Sequence, residues 1–307
     1  MTAIKAEAVT SRKGAHHQSS LETILDGCSW QYYLTNILEK NTPPKPHSVA
    51  GTTFHSAIEL HEEARLNNKH LPSLEDMLSF IDTTIREIAP NIMPEMMQDK
   101  DGKTWDADTL IGMSQHALRN WYSEPLKDGG ISHRDWLMEL TPIAIEPYFK
   151  HQLVEGALPI AGWMDGIYMD KAGKFLIVDQ KTAGDFSRWQ PDGRKHRNQA
   201  TMYAVALILD PDYPTINNIE DVAMHYLVSR TRDGNVERCR RIVVQPDLDD
   251  VKVLGDRIRA AENIIKENSF APNPSWNLCS PRFCSFYKEC QIDKTLTVDL
   301  LINKLNA

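Results

Sequence analysis

The sequence predicts an α/β fold, a mixed and largely antiparallel sheet flanked by helices. Two apolar runs, 160–170 and 175–182, are rich in β-branched and aromatic residues and are joined by Lys171-Ala172-Gly173-Lys174, a β-hairpin pattern. Two further strand-like runs, 223–229 and 238–244, follow a helical stretch at about 195–209. An amphipathic pattern over 248–268 supplies another helix. With 307 residues, 41% hydrophobic and 25% charged, the chain is long enough to bury a large core.

Taken in order, residues 1–18 are polar, contain Lys5, Arg12, Lys13 and two histidines, and lack the apolar centre of a signal peptide. They are expected to form a disordered leader on an intracellular, cytoplasmic protein. A helix is expected over about 20–38, with Ser19 and Glu22 as a capping box and Leu21, Ile24, Leu25 and Cys28 on its buried face. The Pro-rich stretch 41–47 ends it, and a second helix over about 49–67 carries His55. Residues 68–138 read as a helical insertion, broken at Pro72, Pro90 and Pro94 and turning at Asp101-Gly102. Strands begin near 142, with a candidate at 142–149 before the hairpin. The last strand pair turns at Asp233-Gly234, and a cysteine segment spans 271–291. The expected organisation is thus a leader and one domain over 19–307. No apolar run is long enough to span a bilayer, so no membrane partner is expected.

A net charge of −8 argues against a broad, nonspecific nucleic-acid-binding surface. Two local basic groups stand out: Arg188, Arg194, Lys195, His196 and Arg197, then Arg230, Arg232, Arg238, Arg240 and Arg241. By themselves they read as solvated surface charge.

The hairpin carries the chemistry. If 171–173 is a three-residue loop with Gly173 left-handed, Asp170 pairs with Lys174, and counting back sets Asp165 opposite Asp179. Alternation then places Lys181 on the same face as both carboxylates. Opposed cross-strand Cβ atoms lie roughly 5 Å apart, where like charges are destabilising. A divalent cation between the aspartates would remove that penalty. Asp179 follows Phe175-Leu176-Ile177-Val178, and carboxylates are rarely buried there unless paired or metal-bound. A plain Lys181–Asp179 salt bridge is the alternative reading. His61-Glu62-Glu63-Ala64-Arg65 begins like a zinc-protease helix, but Arg65 stands where the second histidine is required.

Cys279, Cys284 and Cys290 fall close together near the C-terminus, Cys28 lies alone near the N-terminus, and Cys239 sits in the arginine-rich hairpin. Disulfides are not expected in an intracellular chain. Four clustered thiolates would suit zinc or an iron–sulfur cluster, whereas Cys239 reads as an ordinary thiol.

Five pieces form a recurring set: Gly51-Thr-Thr-Phe-His55 with Glu59, Gly162-Trp-Met-Asp165, Asp179-Gln-Lys181-Thr182, Gln199-Ala-Thr-Met-Tyr203, and Cys28 with Cys279, Cys284 and Cys290. Together they resemble the RecB-like branch of the PD-(D/E)xK nuclease superfamily that carries a C-terminal cysteine cluster. That branch includes phage-type recombination exonucleases, AddB subunits and CRISPR-associated adaptation nucleases. Met164 stands where the superfamily's name places Pro, and the cysteine spacing is wider than in some members. The resemblance implies a PD-(D/E)xK core with a helical insertion and a cysteine-stapled C-terminal segment. It implies a Mg²⁺- or Mn²⁺-dependent deoxyribonuclease, an exonuclease of DNA recombination or repair acting on single strands or duplex ends. A recombinase or annealing protein would be its partner. By the same resemblance Asp165, Asp179, His55 and the backbone carbonyl of Gln180 hold the metal, Lys181 orients the attacking water, and Gln199, Tyr203 and Glu59 support the site. The four cysteines would hold a 4Fe–4S cluster in preference to zinc. A catalytically silent DNA-binding scaffold and an RNA-directed phosphodiesterase are the alternatives.

Overall fold

The computed structural model describes residues 14–42, 44–92, 97, 105–127, 130–232, 237–281 and 283–290. Its centre is a mixed five-stranded sheet of β1 (Thr141–Ile145), β4 (Gly166–Met169), β5 (Phe175–Ala183), β6 (Ala223–Arg230) and β7 (Cys239–Val244), side by side in that order. All neighbours are antiparallel except β5 and β6, which run parallel. The parallel pair requires a crossover, and α7 (Arg197–Leu209) supplies it.

The β4–β5 hairpin has the expected register. Tyr168 pairs with Leu176, Asp170 N–H donates to Lys174 O at 3.0 Å, and Gly173 is left-handed at φ 82°. The strand expected over 160–170, however, is two strands. Its first half, β3 (Ile160–Trp163), pairs with β2 (Tyr148–His151) in a separate ribbon, and only its second half enters the main sheet. The candidate strand 142–149 divides too, into β1 and β2, at Glu146-Pro147. Glu146 turns the chain with φ 50°, a left-handed value uncommon outside glycine. Both breaks lie at the same level: Glu146 N–H donates to Asp165 O at 3.2 Å and Met164 N–H to Pro147 O at 3.1 Å.

Side-chain alternation along β5 feeds two cores, which explains its uninterrupted apolar run. Leu176 and Val178 join Phe54, Ile81, Leu110 and Trp121 beneath α3 (Pro46–Leu66), α4 (Leu74–Ile88) and α5 (Ala107–Ser123). Ile177 joins Met224, Val228 and Ile242 on the other face, beneath α7 and α8 (Leu248–Lys266). The helix α6 (His133–Met138) precedes β1. Start signals are legible where they occur: Ser73 with Asp76 caps α4, and Asp247 with Asp250 caps α8.

The N-terminal helix departs from expectation. Instead of one helix over 20–38 there are α1 (Gln18–Glu22) and α2 (Ser29–Tyr32), each running into a π-helical turn, with Cys28 extended between them. The cap is His17, whose N–H donates to Ser20 Oγ at 2.9 Å, rather than Ser19 with Glu22. The end of the presumed leader is also ordered. His16 is fully buried, pairs with Ile160, and bonds Glu262 Oε1 at 2.7 Å through its Nε2. Residues 1–13, the tail after 290, Pro94, and the turns at Asp101-Gly102 and Asp233-Gly234 lie outside the described residues. Among the described residues, no helix is long and apolar enough to cross a membrane.

Candidate active site

Asp165 stands at the β3–β4 break, one step beyond the Gly166–Val178 pair, and so beside Asp179. Its Oδ2 accepts the backbone N–H of Gln180 at 2.7 Å and lies 3.0 Å from His55 Nδ1. Asp179 is 1% exposed. Its Oδ2 is ion-paired with the Lys181 ammonium, and its Oδ1 accepts from Gln199 Nε2 at 3.0 Å. The same Gln199 amide reaches Tyr203 Oη at 3.2 Å, one helical turn along α7. The structure therefore gathers Asp165, Asp179, Lys181, His55, Gln199 and Tyr203 at one place. Gln180 joins them through its backbone N–H, which donates to Asp165. Glu59 lines the cavity beside His55 and Asp165.

One motif glycine, Gly162, lets the elements approach this closely. α3 packs against β5 and carries His55 to Asp165, and a Cβ on Gly51 would meet Thr182 Oγ1 at an ordinary contact distance of 3.4 Å. A Cβ on Gly162 would stand 3.1 Å from the Phe149 ring, with Tyr203 next to it.

The charges are strongly coupled. Burial pushes Asp179 up to about 6, aided by repulsion from Asp165 and opposed by Lys181. Burial also works to raise Asp165, yet His55, Lys181 and the Gln180 N–H together hold it below its ordinary value. Lys181 stays above its ordinary value because Asp179 and Asp165 outweigh its burial.

Spacing rules missed one residue. Glu146 lines the same cavity, and burial followed by repulsion from Asp165, Glu59 and Asp179 pushes its carboxyl to about 9. Its left-handed backbone at the β1 exit is invisible to sequence patterning.

Among the described residues, no group of three or more His, Cys, Asp or Glu side chains stands ready to hold a metal ion. Lys181 and His55 contact the two aspartates directly instead. The donor chemistry nevertheless suits a hard cation. Asp165, Asp179, Glu146 and Glu59 crowd oxygen donors against a single lysine, and the coupled shifts record their repulsion.

The basic groups are largely committed to neighbours. Arg197 pairs with Asp250, Arg238 with Glu124, Arg240 with Glu237, and Arg241 lies over the Trp136 ring. Arg188, Lys195 and Arg232 remain exposed.

Away from the carboxylates, Cys28, Cys279, Cys284 and Cys290 line one small cavity with Trp276 and Phe286. Hydrogen bonds draw its two walls together: Asn273 N–H meets Cys28 Sγ at 3.4 Å, and Asn273 Nδ2 donates to Gly27 O at 2.8 Å. Burial raises the Cys284 thiol. Cys239 is buried elsewhere, 3.8 Å from Ser229 Oγ.

No curated protein matches the chain. Among solved structures, a candidate exonuclease from Eubacterium rectale has a TM-score of 0.47 at 7% identity, over 89% of each chain. The protein SSO0001 has a TM-score of 0.29 at 15% identity, over 46% of this chain and 56% of its own. Both likenesses are too distant to bear on function. The profile of the PD-(D/E)XK nuclease superfamily, in contrast, matches residues 18–291, a span holding every site residue described above. With that match over most of its length, the chain belongs to the PD-(D/E)XK nuclease superfamily.

Proposed function

We propose that this nuclease is a divalent-cation-dependent DNA exonuclease. The supporting observation is the Asp165–Asp179 pair with Lys181 on one side and His55 on the other. Mg²⁺ or Mn²⁺ held by Asp165, Asp179, His55 and the Gln180 carbonyl would supply water ionisation near neutral pH and charge neutralisation at the scissile phosphate. Gln199 fixes one oxygen of Asp179, leaving the other to face Lys181. Lys181 retains its proton beside that carboxylate, so it can orient the attacking water and offset charge on the phosphoryl oxygens. The exposed Arg188, Lys195 and Arg232 offer backbone phosphates a modest attraction, in keeping with the acidic balance of the whole chain. The preference for DNA ends, and a recombination or repair setting with a recombinase or annealing partner, rest on the five-motif resemblance alone.

A product-length time course on end-labelled single-stranded DNA, duplex DNA and RNA of one sequence tests this reading. Short products released from DNA ends with Mg²⁺ or Mn²⁺, and none in excess chelator, are expected. Cleavage that survives the chelator overturns it, as does tight binding without products. Preferential RNA breakdown would replace the DNA assignment.

For the second cavity, we propose a 4Fe–4S cluster held by Cys28, Cys279, Cys284 and Cys290. The support is that four soft donors, drawn from both ends of the fold, line one space. Its role would be structural, stapling the α1–α2 segment to residues 271–290. Anaerobically purified protein should contain iron and sulfide, and lose both in Cys284→Ser. Stoichiometric zinc without iron would contradict the assignment.

A further inference from the structure

The register across β1, β4 and β5 carries one more consequence. Ile145 pairs with Gly166, so the next residues outward, Glu146 and Asp165, face each other, and the Glu146 N–H to Asp165 O bond of 3.2 Å fixes them there. Asp165 in turn stands beside Asp179 by the β4–β5 register. Glu146, Asp165 and Asp179 thus occupy one cross-strand row of backbone positions, and Glu146 and Asp165 line one cavity. Glu146 holds its place with a left-handed backbone at φ 50°, a conformation a glutamate adopts at a cost.

A second observation points to a ligand independently of the acids. Gln180 is 3% exposed, and its side-chain Oε1 is buried without a hydrogen-bond partner. It lines the small cavity that Glu146, Asp165, His55 and Glu59 share. Buried carbonyl oxygens are ordinarily satisfied, and a nearby cation satisfies them as well as a donor does. Glu62 also lines this cavity, but it is already engaged by Arg65 Nη1 at 2.7 Å and Tyr168 Oη at 3.1 Å.

We propose that Glu146 and the side-chain carbonyl of Gln180, together with Asp165, hold a divalent cation in this cavity, on the α3-facing side of Asp165 and away from the face on which Asp179 meets Gln199. The proposal rests on the cation-dependent reading above and adds to its ligands Glu146, which lies outside the five motifs, and the side chain of Gln180. Mixed carboxylate and amide oxygens suit Mg²⁺, Mn²⁺ and Ca²⁺ and disfavour soft metals.

Calorimetric titration of the full-length protein with MnCl₂ tests it directly, in wild type, Glu146→Gln and Gln180→Leu, with circular dichroism as a check on folding. Both variants are expected to bind Mn²⁺ at least about tenfold more weakly than wild type, and Gln180→Glu to bind it at least as well. Folded Glu146→Gln and Gln180→Leu proteins with wild-type Mn²⁺ affinity would overturn the proposal while leaving the cation-dependent reading intact. Absence of Mn²⁺ binding by wild type itself would overturn both. If Glu146→Gln fails to fold, the paired Gln180 variants decide.

Discussion

At the scale of single residues, the site is a contest between burial and charge. Asp179 lies almost wholly inside the protein, where Lys181 and His55 oppose the burial that raises its carboxyl and the Gln199 amide donates to its Oδ1. Replacing Gln199 by Leu leaves Asp179 Oδ1 without its donor and breaks the link to Tyr203. We predict that Gln199→Leu lowers kcat by roughly 10- to 100-fold, the cost of one unsatisfied buried acceptor at a reacting centre. Steady-state kinetics on labelled DNA check this, and an unchanged kcat would remove Gln199 from the supporting set. Much of this scale was legible in the sequence. Period-two alternation and a three-residue loop suffice to set Asp165, Asp179 and Lys181 together, and helical spacing sets Gln199 against Tyr203. Glu146 was not legible, because its position depends on an irregularity between Pro142 and Ala144 in the β1–β4 pairing and on a reversal of its own φ. Neither leaves a signature in hydrophobic spacing.

At the scale of elements, close approach matters more than propensity. Gly162 lies in β3 where the Phe149 ring crosses it at 3.1 Å from any added Cβ. Phe149 is itself buried against Tyr203, with ring centroids 5.6 Å apart in an edge-on arrangement. A valine there must displace the ring. Gly162→Val is therefore predicted to destabilise the fold by about 1–3 kcal/mol, as overpacked cores do. Urea unfolding followed by circular dichroism measures it, and a wild-type midpoint would show that the β2–β3 ribbon yields freely. The ribbon also shows where elements escape sequence reading. The run 160–170 looks like one strand because its residues favour extended structure throughout. It divides because β2 claims its first half as a partner while β1 and β5 claim its second. Likewise the helical periodicity of 20–38 is real, but Cys28 interrupts it so that its thiol can face residues 271–273.

At the scale of the whole molecule, acid stability should reveal how the two cores treat ionisable groups. Burial lowers His133 to about 3 and His225 to about 4, the latter stacked on Trp136 at 5.0 Å. In the unfolded chain each titrates near 6.5. Between those values the unfolded state takes up protons that the folded state refuses, so the histidine contribution is complete above pH 6.5 and lost as the pH falls toward 4. At about 1.4 kcal/mol per pH unit, each histidine removes up to ~3 kcal/mol across that window. Asp179 acts in the opposite sense. Its folded value of about 6 stands above its ordinary one, so it stabilises the fold at low pH and withdraws that stability as the pH rises through 6, and Glu146, pushed to about 9, does the same as the pH rises toward 9. We predict that His225→Phe shifts the pH dependence of the unfolding free energy, so that the variant loses less stability than the wild type, or gains more, between pH 6.5 and 4. A slope unaltered by that substitution would show that His225 is not buried in its neutral form.

The measurement closest to the central claim is the nuclease rate of Asp179→Asn beside wild type, with Mn²⁺ and end-labelled DNA. Asparagine preserves the shape of the buried side chain and its place beside Gln199 but removes the charge that faces Lys181. The account predicts a wild-type circular dichroism spectrum and a rate lower by about 10²–10³-fold or more. A folded Asp179→Asn protein that cuts DNA at the wild-type rate would contradict it.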